Sequence, residues 1–383
     1  MTQSKPWVDL TSEQIQQLQE QFLEWYQLEK RNLPWRANKD PYRIWISEIM
    51  LQQTRVETVI DYYYRFMELF PTIQDLAEAP EDQLLKAWEG LGYYSRARNL
   101  QAAAKQIQTE FNGQMPATLA EIQSLKGIGP YTAGAIASIA FDLPEPAIDG
   151  NLMRVTSRLF CIADDIAKAS SRKVFEQALR QIISHDEPGE FNQALMDLGS
   201  QICTPTAPEC SACPLAAFCL AKERGMQTQF PVKTKKAKPK NVYYIAEIIQ
   251  NDNQEFLLQK RPETGLLAKM WTFPLKEVTE MEYRRLQKEW SQETEHELQR
   301  PLIAEDSSEY LTQQVVWQKR HLDEVTHLFS HLKWHILPFY GRVISPEFTQ
   351  VGSFVLPSDF ETYVFPKPQQ KLVAVLKKNN RLE

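Results

Sequence analysis

Leu125-Lys126-Gly127-Ile128-Gly129-Pro130-Tyr131 sets two glycines on either side of one apolar residue. The backbone there turns tightly and lies close to another surface. Residues 117–124 before it and 131–141 after it read as short helices. Helix, hairpin and helix together present backbone N–H groups at a helix start, a setting that suits a nucleic-acid phosphate. Downstream, Pro144-Glu145-Pro146-Ala147-Ile148 reads as an extended run that delivers Asp149 where Asn151 is placed to cap the next helix. A carboxylate at the positive end of a helix dipole is expected to stay ionised. A phosphate-gripping hairpin beside an ionised carboxylate points to chemistry on DNA.

The whole chain, at 383 residues, exceeds one typical domain, so two cores are expected. Charged residues at 24% and hydrophobic residues at 43% fit a soluble globular protein. No apolar run approaches membrane-spanning length, and residues 1–10 lack a signal-peptide core. No membrane partner and a cytoplasmic location are therefore expected. The net charge of -6 divides unevenly: -8 over residues 1–225, +5 over 226–240 and -3 over 241–383. Bulk charge does not favour DNA, so any grip on it comes from local patches and backbone N–H groups.

Four of the five cysteines are Cys203, Cys210, Cys213 and Cys219, with six, two and five residues between successive members. Clustered thiols in a cytosolic chain read as metal ligands rather than disulfides. Zinc sites usually carry two short Cys pairs, and only Cys210 and Cys213 are closely paired. The spacing favours a [4Fe–4S] cube over zinc without excluding zinc. Cys161 lies outside the pattern and reads as a small buried hydrophobe.

Residues 1–225 read as a helical domain ending in the metal loop. Thr11 caps a helix with Ile15, Leu18, Phe22 and Trp25 on one face, and Asp40-Pro41 starts another. Further helices are expected near 80–89, 95–111, 151–160, 171–184 and 191–202. Residues 226–240 hold five lysines and two prolines and read as a solvated linker, with a path along a DNA backbone as the alternative. From Val242 the pattern changes to strands. The expected fold is a multidomain α+β chain, with a third segment (241–383) of α/β type. Glu48, in Ile44-Trp45-Ile46-Ser47-Glu48-Ile49-Met50-Leu51, has the most apolar setting of any glutamate in the helical part. Desolvation would favour its neutral form, whereas read bare a solvent-facing helical glutamate competes.

The hairpin with its following Gly/Pro-Asp loop resembles the helix-hairpin-helix DNA glycosylases similar to endonuclease III. Ser47-Glu48-Ile49-Met50-Leu51-Gln52-Gln53-Thr54 resembles the adenine DNA glycosylases of the MutY type, and the six-two-five cysteine pattern matches the iron–sulfur loop of the same superfamily. The resemblance runs roughly from Leu18 to Val375. It implies a monofunctional, monomeric enzyme of base excision repair that removes adenine mispaired with 8-oxoguanine or guanine in double-stranded DNA, nucleoid-associated when acting in a bacterium. Residues 241–383 would then be a Nudix-like domain that recognises 8-oxoguanine; the stretch after Pro274 lacks an Arg-Glu-x-x-Glu-Glu sequence, so metal-dependent phosphohydrolysis is not expected.

By that resemblance Glu48 protonates the leaving base and Asp149 stabilises the positive charge growing on the sugar, with Tyr131 and Asn151 orienting the two. Arg31, Trp35, Arg36 and Thr54 match the adenine pocket region, and Gln53 and Tyr93 match residues that wedge beside the flipped base. Gly127 and Gly129 take the phosphate contact. Leu91 to Arg98 would offer an aromatic and basic surface to DNA, with core equally open for Tyr94. Phe329, Ser330 and His331 would contact the oxidised guanine, although read bare Leu328-Phe329-Ser330-His331 is a strand. His335, expected on that same strand, reads as structural.

Three rivals remain. A bifunctional pyrimidine glycosylase/lyase would need a lysine where this chain has Tyr131, which forms no Schiff base. A Nudix-type phosphohydrolase with a DNA-binding domain would need the missing glutamates. A non-catalytic DNA-binding protein would have no use for both Glu48 and Asp149.

Overall fold

A computed structural model describes residues 9–235, 237–291, 311–312, 314–318, 320–343 and 348–382. Two compact units form: residues up to Pro80 with Ser95–Lys235, and Glu81–Tyr94 with the described residues beyond 236. The helices in chain order are α1 (Ser12–Glu29), α2 (Pro41–Leu51), α3 (Val56–Leu69), α4 (Ile73–Glu78), α5 (Glu81–Ala87), α6 (Ser95–Glu110), α7 (Leu119–Ser124), α8 (Pro130–Phe141), α9 (Gly150–Phe160), α10 (Arg172–Ile182), α11 (Pro188–Gln201) and α12 (Leu220–Glu223). Of these, α5 belongs to the second unit. Among the described residues no helix is long and apolar enough to cross a membrane.

Local chemistry sets the helix starts. Thr11 and Gln14 form a capping box on α1, and Asp40 accepts the Tyr42 and Arg43 N–H groups ahead of Pro41. Three apolar residues of α1, Leu18, Phe22 and Tyr26, pack into a core built with α9, α10 and α11. Burying a side chain the size of Phe22 contributes about 2 kcal/mol. Arg96, expected on a DNA-facing surface, instead donates to the Ile49, Met50 and Gln52 carbonyls at 2.7, 3.2 and 2.7 Å. It satisfies the orphan carbonyls at the end of α2. Cys161 is half-buried at the left-handed cap of α9 rather than inside the core.

In the second unit the strands are β1 (Lys240–Gln250), β2 (Phe256–Lys260), β3 (Trp271–Thr272), β4 (Leu275–Val278), β5 (Val315–Trp317), β6 (Val325–Leu328), β7 (Leu332–Val343) and β8 (Ser353–Val355), with α13 (Glu280–Glu289) and α14 (Lys367–Lys378). β1 and β7 run parallel at the centre, from Lys240 opposite Leu332 to Gln250 opposite Arg342. The other strands join antiparallel. Tyr243, Ile245, Leu337 and Phe339 pack with Tyr283 and Leu286 of α13. Their neighbours Ala246, Ile248 and Ile336 pack with Leu372 and Leu376 of α14. Burial of both faces explains why β1 reads as a continuous apolar run and not an alternation.

Three placements differ from expectation. Residues 226–234, expected within a linker, pack on the helical unit: Arg158 donates to the Phe230 carbonyl at 3.0 Å, and Ile166 N–H to the Val232 carbonyl at 3.0 Å. Residues 81–94 join the second unit. Leu328-Phe329-Ser330-His331 is not one strand, because β6 ends at Leu328 and Phe329 N–H donates to the Leu332 carbonyl at 2.7 Å, closing a hairpin. His335 lies on β7, stacked on Tyr243, with Nδ1 3.0 Å from Glu324 and Nε2 3.3 Å from Asn241.

Candidate active site

Asp149 is positioned from three sides. As N-cap of α9 its Oδ1 accepts the Asn151 and Leu152 N–H groups at 2.8 and 2.7 Å, and the Asn151 amide donates to Oδ2 at 3.1 Å. The extended run before it is pinned by Asn192, which is fully buried: its Oδ1 accepts Ala147 N–H at 3.0 Å and its amide donates to the Glu145 carbonyl at 2.9 Å. Arg172 donates to the Ile148 carbonyl at 2.9 Å. Burial raises the Asp149 pKa, while the Leu152 and Asn151 N–H groups and the Arg154 charge pull it down. The helix start acts in the expected direction and burial outweighs it, so Asp149 is a weaker acid than an exposed aspartate.

Glu48 sits near the end of α2 and is 4% exposed. Burial pushes its pKa up to about 7; the Tyr131 hydrogen bond and the Arg36 charge oppose this, and Asp149 adds to it. The Tyr131 hydroxyl donates to Oε2. Glu48, Tyr131, Asp149 and Asn151 all line one cavity of about 510 Å³, with Trp35 and Thr54 among its other walls. Two carboxyls of unlike environment therefore face one space, one held by a single hydroxyl and the other by three N–H donors.

Arg31 and Arg36 also line this cavity, but their guanidinium groups turn to Asp197, which the sequence reading missed. Arg31 Nε donates to Asp197 at 3.0 Å, and Arg36 donates to both of its oxygens at 2.7 and 3.1 Å. Asp197 is 1% exposed, so one buried carboxylate holds two cations in place. A polar residue among Phe191, Ala194, Leu195 and Leu198 of α11 is the signal that would have found both Asn192 and Asp197.

The hairpin lies between α7 and α8. Thr118 caps α7, Gly129 is the N-cap of α8 and Pro130 its first residue. Ile128 is buried between the two exposed glycines. Gly127 has φ +77°, and a Cβ there would meet the Asn99 side chain at 2.6 Å, whereas Gly129 opens onto free space. Gln53 is exposed just after α2 with φ 59°. In the second unit Tyr93 is 46% exposed with φ 47°, and Tyr94 is buried. The Phe329–His331 turn stands there with Ser330 and His331 exposed.

Cys203, Cys210, Cys213 and Cys219 line one small cavity. Burial pushes the Cys213 thiol up to about 12, and negative charge on the other three cysteines acts in the same direction. A bound cation would reverse that. Among the described residues no three His, Cys, Asp or Glu side chains stand close enough to share a single metal ion. Arg158 Nη1 is 3.3 Å from Cys203 Sγ, and Arg154 joins the Cys203 carbonyl (2.8 Å) to Asn151 Oδ1 (3.0 Å). The cysteine loop and the Asp149–Asn151 pair thus share the α9 scaffold.

Residues 46–183 match the HhH-GPD superfamily of base excision DNA repair proteins, and residues 245–375 match the NUDIX domain. The chain is 36% identical to the adenine DNA glycosylase of Mus musculus, over 81% of this chain and 68% of that protein. It is 32% identical to the adenine DNA glycosylase of Buchnera aphidicola subsp. Schizaphis graminum, over 93% of this chain and 97% of that protein. Among solved structures it is similar to a thermostable thymine-DNA glycosylase, at 26% identity and a TM-score of 0.50, covering 56% of this chain and all of that one.

Proposed function

The chain belongs to the adenine DNA glycosylase family, and on that premise we propose that it hydrolyses the N-glycosidic bond of adenine mispaired with 8-oxoguanine or guanine in duplex DNA. The observation that carries this reading is the buried Glu48 carboxyl, its pKa near 7, sharing a cavity with the better-solvated-by-hydrogen-bonds Asp149. Near neutral pH a substantial fraction of Glu48 holds a proton, which it delivers to N7 of the flipped adenine. Asp149, whose charged form three N–H donors favour, stabilises the oxocarbenium character of the sugar. Water then completes the hydrolysis. Tyr131 and Asn151 orient the two carboxyls.

Tyr131 offers no amine, and no lysine is among the described residues lining the cavity, which supports base removal without strand cleavage. Trp35 and Thr54 wall the base pocket, while Arg31 and Arg36 shape it through Asp197. Gly127 and Gly129 bring N–H groups to a phosphate. Gln53 and, in the second unit, Tyr93 are each exposed in a left-handed conformation, which supports reading each as a wedge into the duplex. Phe329, Ser330 and His331 read the oxidised guanine. The partner is double-stranded DNA, bound by a monomer in the cytoplasm.

The four cysteines would hold a [4Fe–4S] cluster. The six-two-five spacing, with only Cys210 and Cys213 closely paired, suits a four-iron cube better than the two short pairs usual for zinc, and all four cysteines line one cavity. When bound, the cluster supplies a rigid tie for the 203–219 loop, and Arg154 and Arg158 carry that tie to α9.

The test is single-turnover excision on a duplex with adenine opposite 8-oxoguanine, read with and without alkali. Strand scission only after alkali supports base removal alone. Scission without alkali would favour the lyase, and absence of any abasic site would overturn the reading.

A further inference from the structure

The turn that bears Tyr93 is built under strain. Gly90, Gly92 and Tyr93 all have positive φ, at 102°, 70° and 47°, which for a tyrosine is uncommon. Two buried rings brace the turn from within: Trp88 donates to the Gly92 carbonyl at 3.1 Å, and Gly90 N–H donates to the Tyr94 hydroxyl at 3.2 Å. Strain of this kind persists only where the surroundings over-determine it.

Those surroundings lie in the second unit, to which residues 81–94 belong. Glu89, next to the turn, accepts the Phe365 N–H at 3.0 Å and the Gln370 amide at 3.2 Å. Phe365 precedes Pro366, the N-cap of α14, and Gln370 is in its first turn. Earlier in the segment Lys269 pairs with Glu81 at 2.8 Å, and Lys86 donates to the Tyr363 carbonyl at 3.2 Å. The next residue of α14, Lys371, donates to the Thr326 carbonyl at 2.6 Å. Thr326 lies in β6, two residues before Leu328, where that strand feeds the Phe329–Ser330–His331 hairpin. Phe329 is in turn held by edge contacts with Trp334 (5.0 Å) and His327 (4.5 Å). Hydrogen bonds and one helix therefore run without a break from the Tyr93 turn to the hairpin.

We propose that α14 is a strut that sets the Tyr93 turn and the Phe329–His331 hairpin at one fixed spacing, with Glu89 and Lys371 as positioning residues for lesion discrimination. The proposal rests on the reading that Tyr93 inserts into DNA and that the hairpin reads 8-oxoguanine. Glu89 and Lys371 touch neither; they act by holding the two contacts so that one DNA geometry satisfies both at once. A rigid pre-set pair meets its target without the ordering cost that two independent loops would incur.

The experiment is a double-mutant cycle on the full chain. Single-turnover excision of adenine opposite 8-oxoguanine and opposite guanine is measured for Glu89→Ala, Glu89→Gln, Tyr93→Ala and the Glu89→Ala/Tyr93→Ala pair, the readout being the ratio of the two rates. Glu89→Ala is expected to lower that preference about tenfold, and to lower it no further once Tyr93 is gone. Glu89→Gln keeps Oε1 as an acceptor and should retain the preference, which a loss through misfolding would not reproduce. Independent, multiplying effects of Glu89→Ala and Tyr93→Ala would overturn the strut, as would an unchanged ratio in Glu89→Ala. If Tyr93→Ala itself leaves the ratio unchanged, the role of Tyr93 on DNA is what fails, and the strut falls with it. A matching loss in Lys371→Ala supports the far end of the path, and an unchanged ratio there removes Lys371 from it.

Discussion

The Tyr131 hydroxyl donates to Glu48 Oε2, and this single bond opposes the effect of burial on the carboxyl. Burial favours the neutral acid and pushes the pKa up to about 7; the donated hydrogen bond favours the anion and holds it down. Tyr131 thus tunes the Glu48 carboxyl. With Tyr131→Phe that restraint disappears, so the Glu48 pKa rises further and the protonated form persists to higher pH. The alkaline limb of the single-turnover pH profile should move upward. An unmoved or lowered limb would detach Tyr131 from Glu48.

Glu48 also carries a stability cost with a definite sign. Its pKa rises from 4.5 to about 7 on folding. The native state binds the extra proton between those values, so stability is full below pH 4.5 and is lost as pH rises through 7. Glu48→Gln removes the charge, keeps an acceptor for Tyr131 and should stabilise the protein at pH 8 by up to about 3 kcal/mol, while abolishing excision. Melting temperatures at pH 5 and pH 8 check this, and an equal difference at both would refute it.

Asp197 holds Arg31 and Arg36 from a fully buried position. Asp197→Asn leaves two guanidinium groups without their counter-charge, and a loss of about 3 kcal/mol in urea unfolding is expected. Excision should fall as well, because both arginines line the cavity that contains Glu48. A variant as stable as the parent would show that solvent replaces the carboxylate.

The two hairpin glycines should respond differently. Gly127→Ala meets both a left-handed φ and the Asn99 side chain, and should cost about 1–3 kcal/mol of stability. Gly129→Ala has an ordinary φ and open space, so stability should change by less than about 0.5 kcal/mol. Its methyl group nevertheless enters the space a phosphate would take, and duplex affinity should weaken. Equal melting temperatures for the two variants would contradict the hairpin geometry.

Protein purified without oxygen should be brown, with about four irons per chain. Cys213→Ser should lose both the colour and the iron. Zinc bound at one equivalent would replace the cluster assignment.

Much of the site was legible because its signals are local. The Gly127-Ile128-Gly129 spacing, the helix start beside Asp149 and the apolar setting of Glu48 each depend on a few neighbouring residues, although the cap expected at Asn151 falls on Asp149 itself. The Phe329–His331 segment was ambiguous, since alternating residues suit a strand as well as a hairpin tip, and pairing of β6 with β7 decided it. Tertiary structure alone decided that Asp197 pairs with Arg31 and Arg36 across 166 and 161 residues, that Asn192 pins the run before Asp149, and that residues 81–94 join the second unit. Partners so far apart leave no periodic trace in a sequence. Their meeting depends on the summed packing of helices and strands between them, and the burial that results raises the pKa of both Glu48 and Asp149.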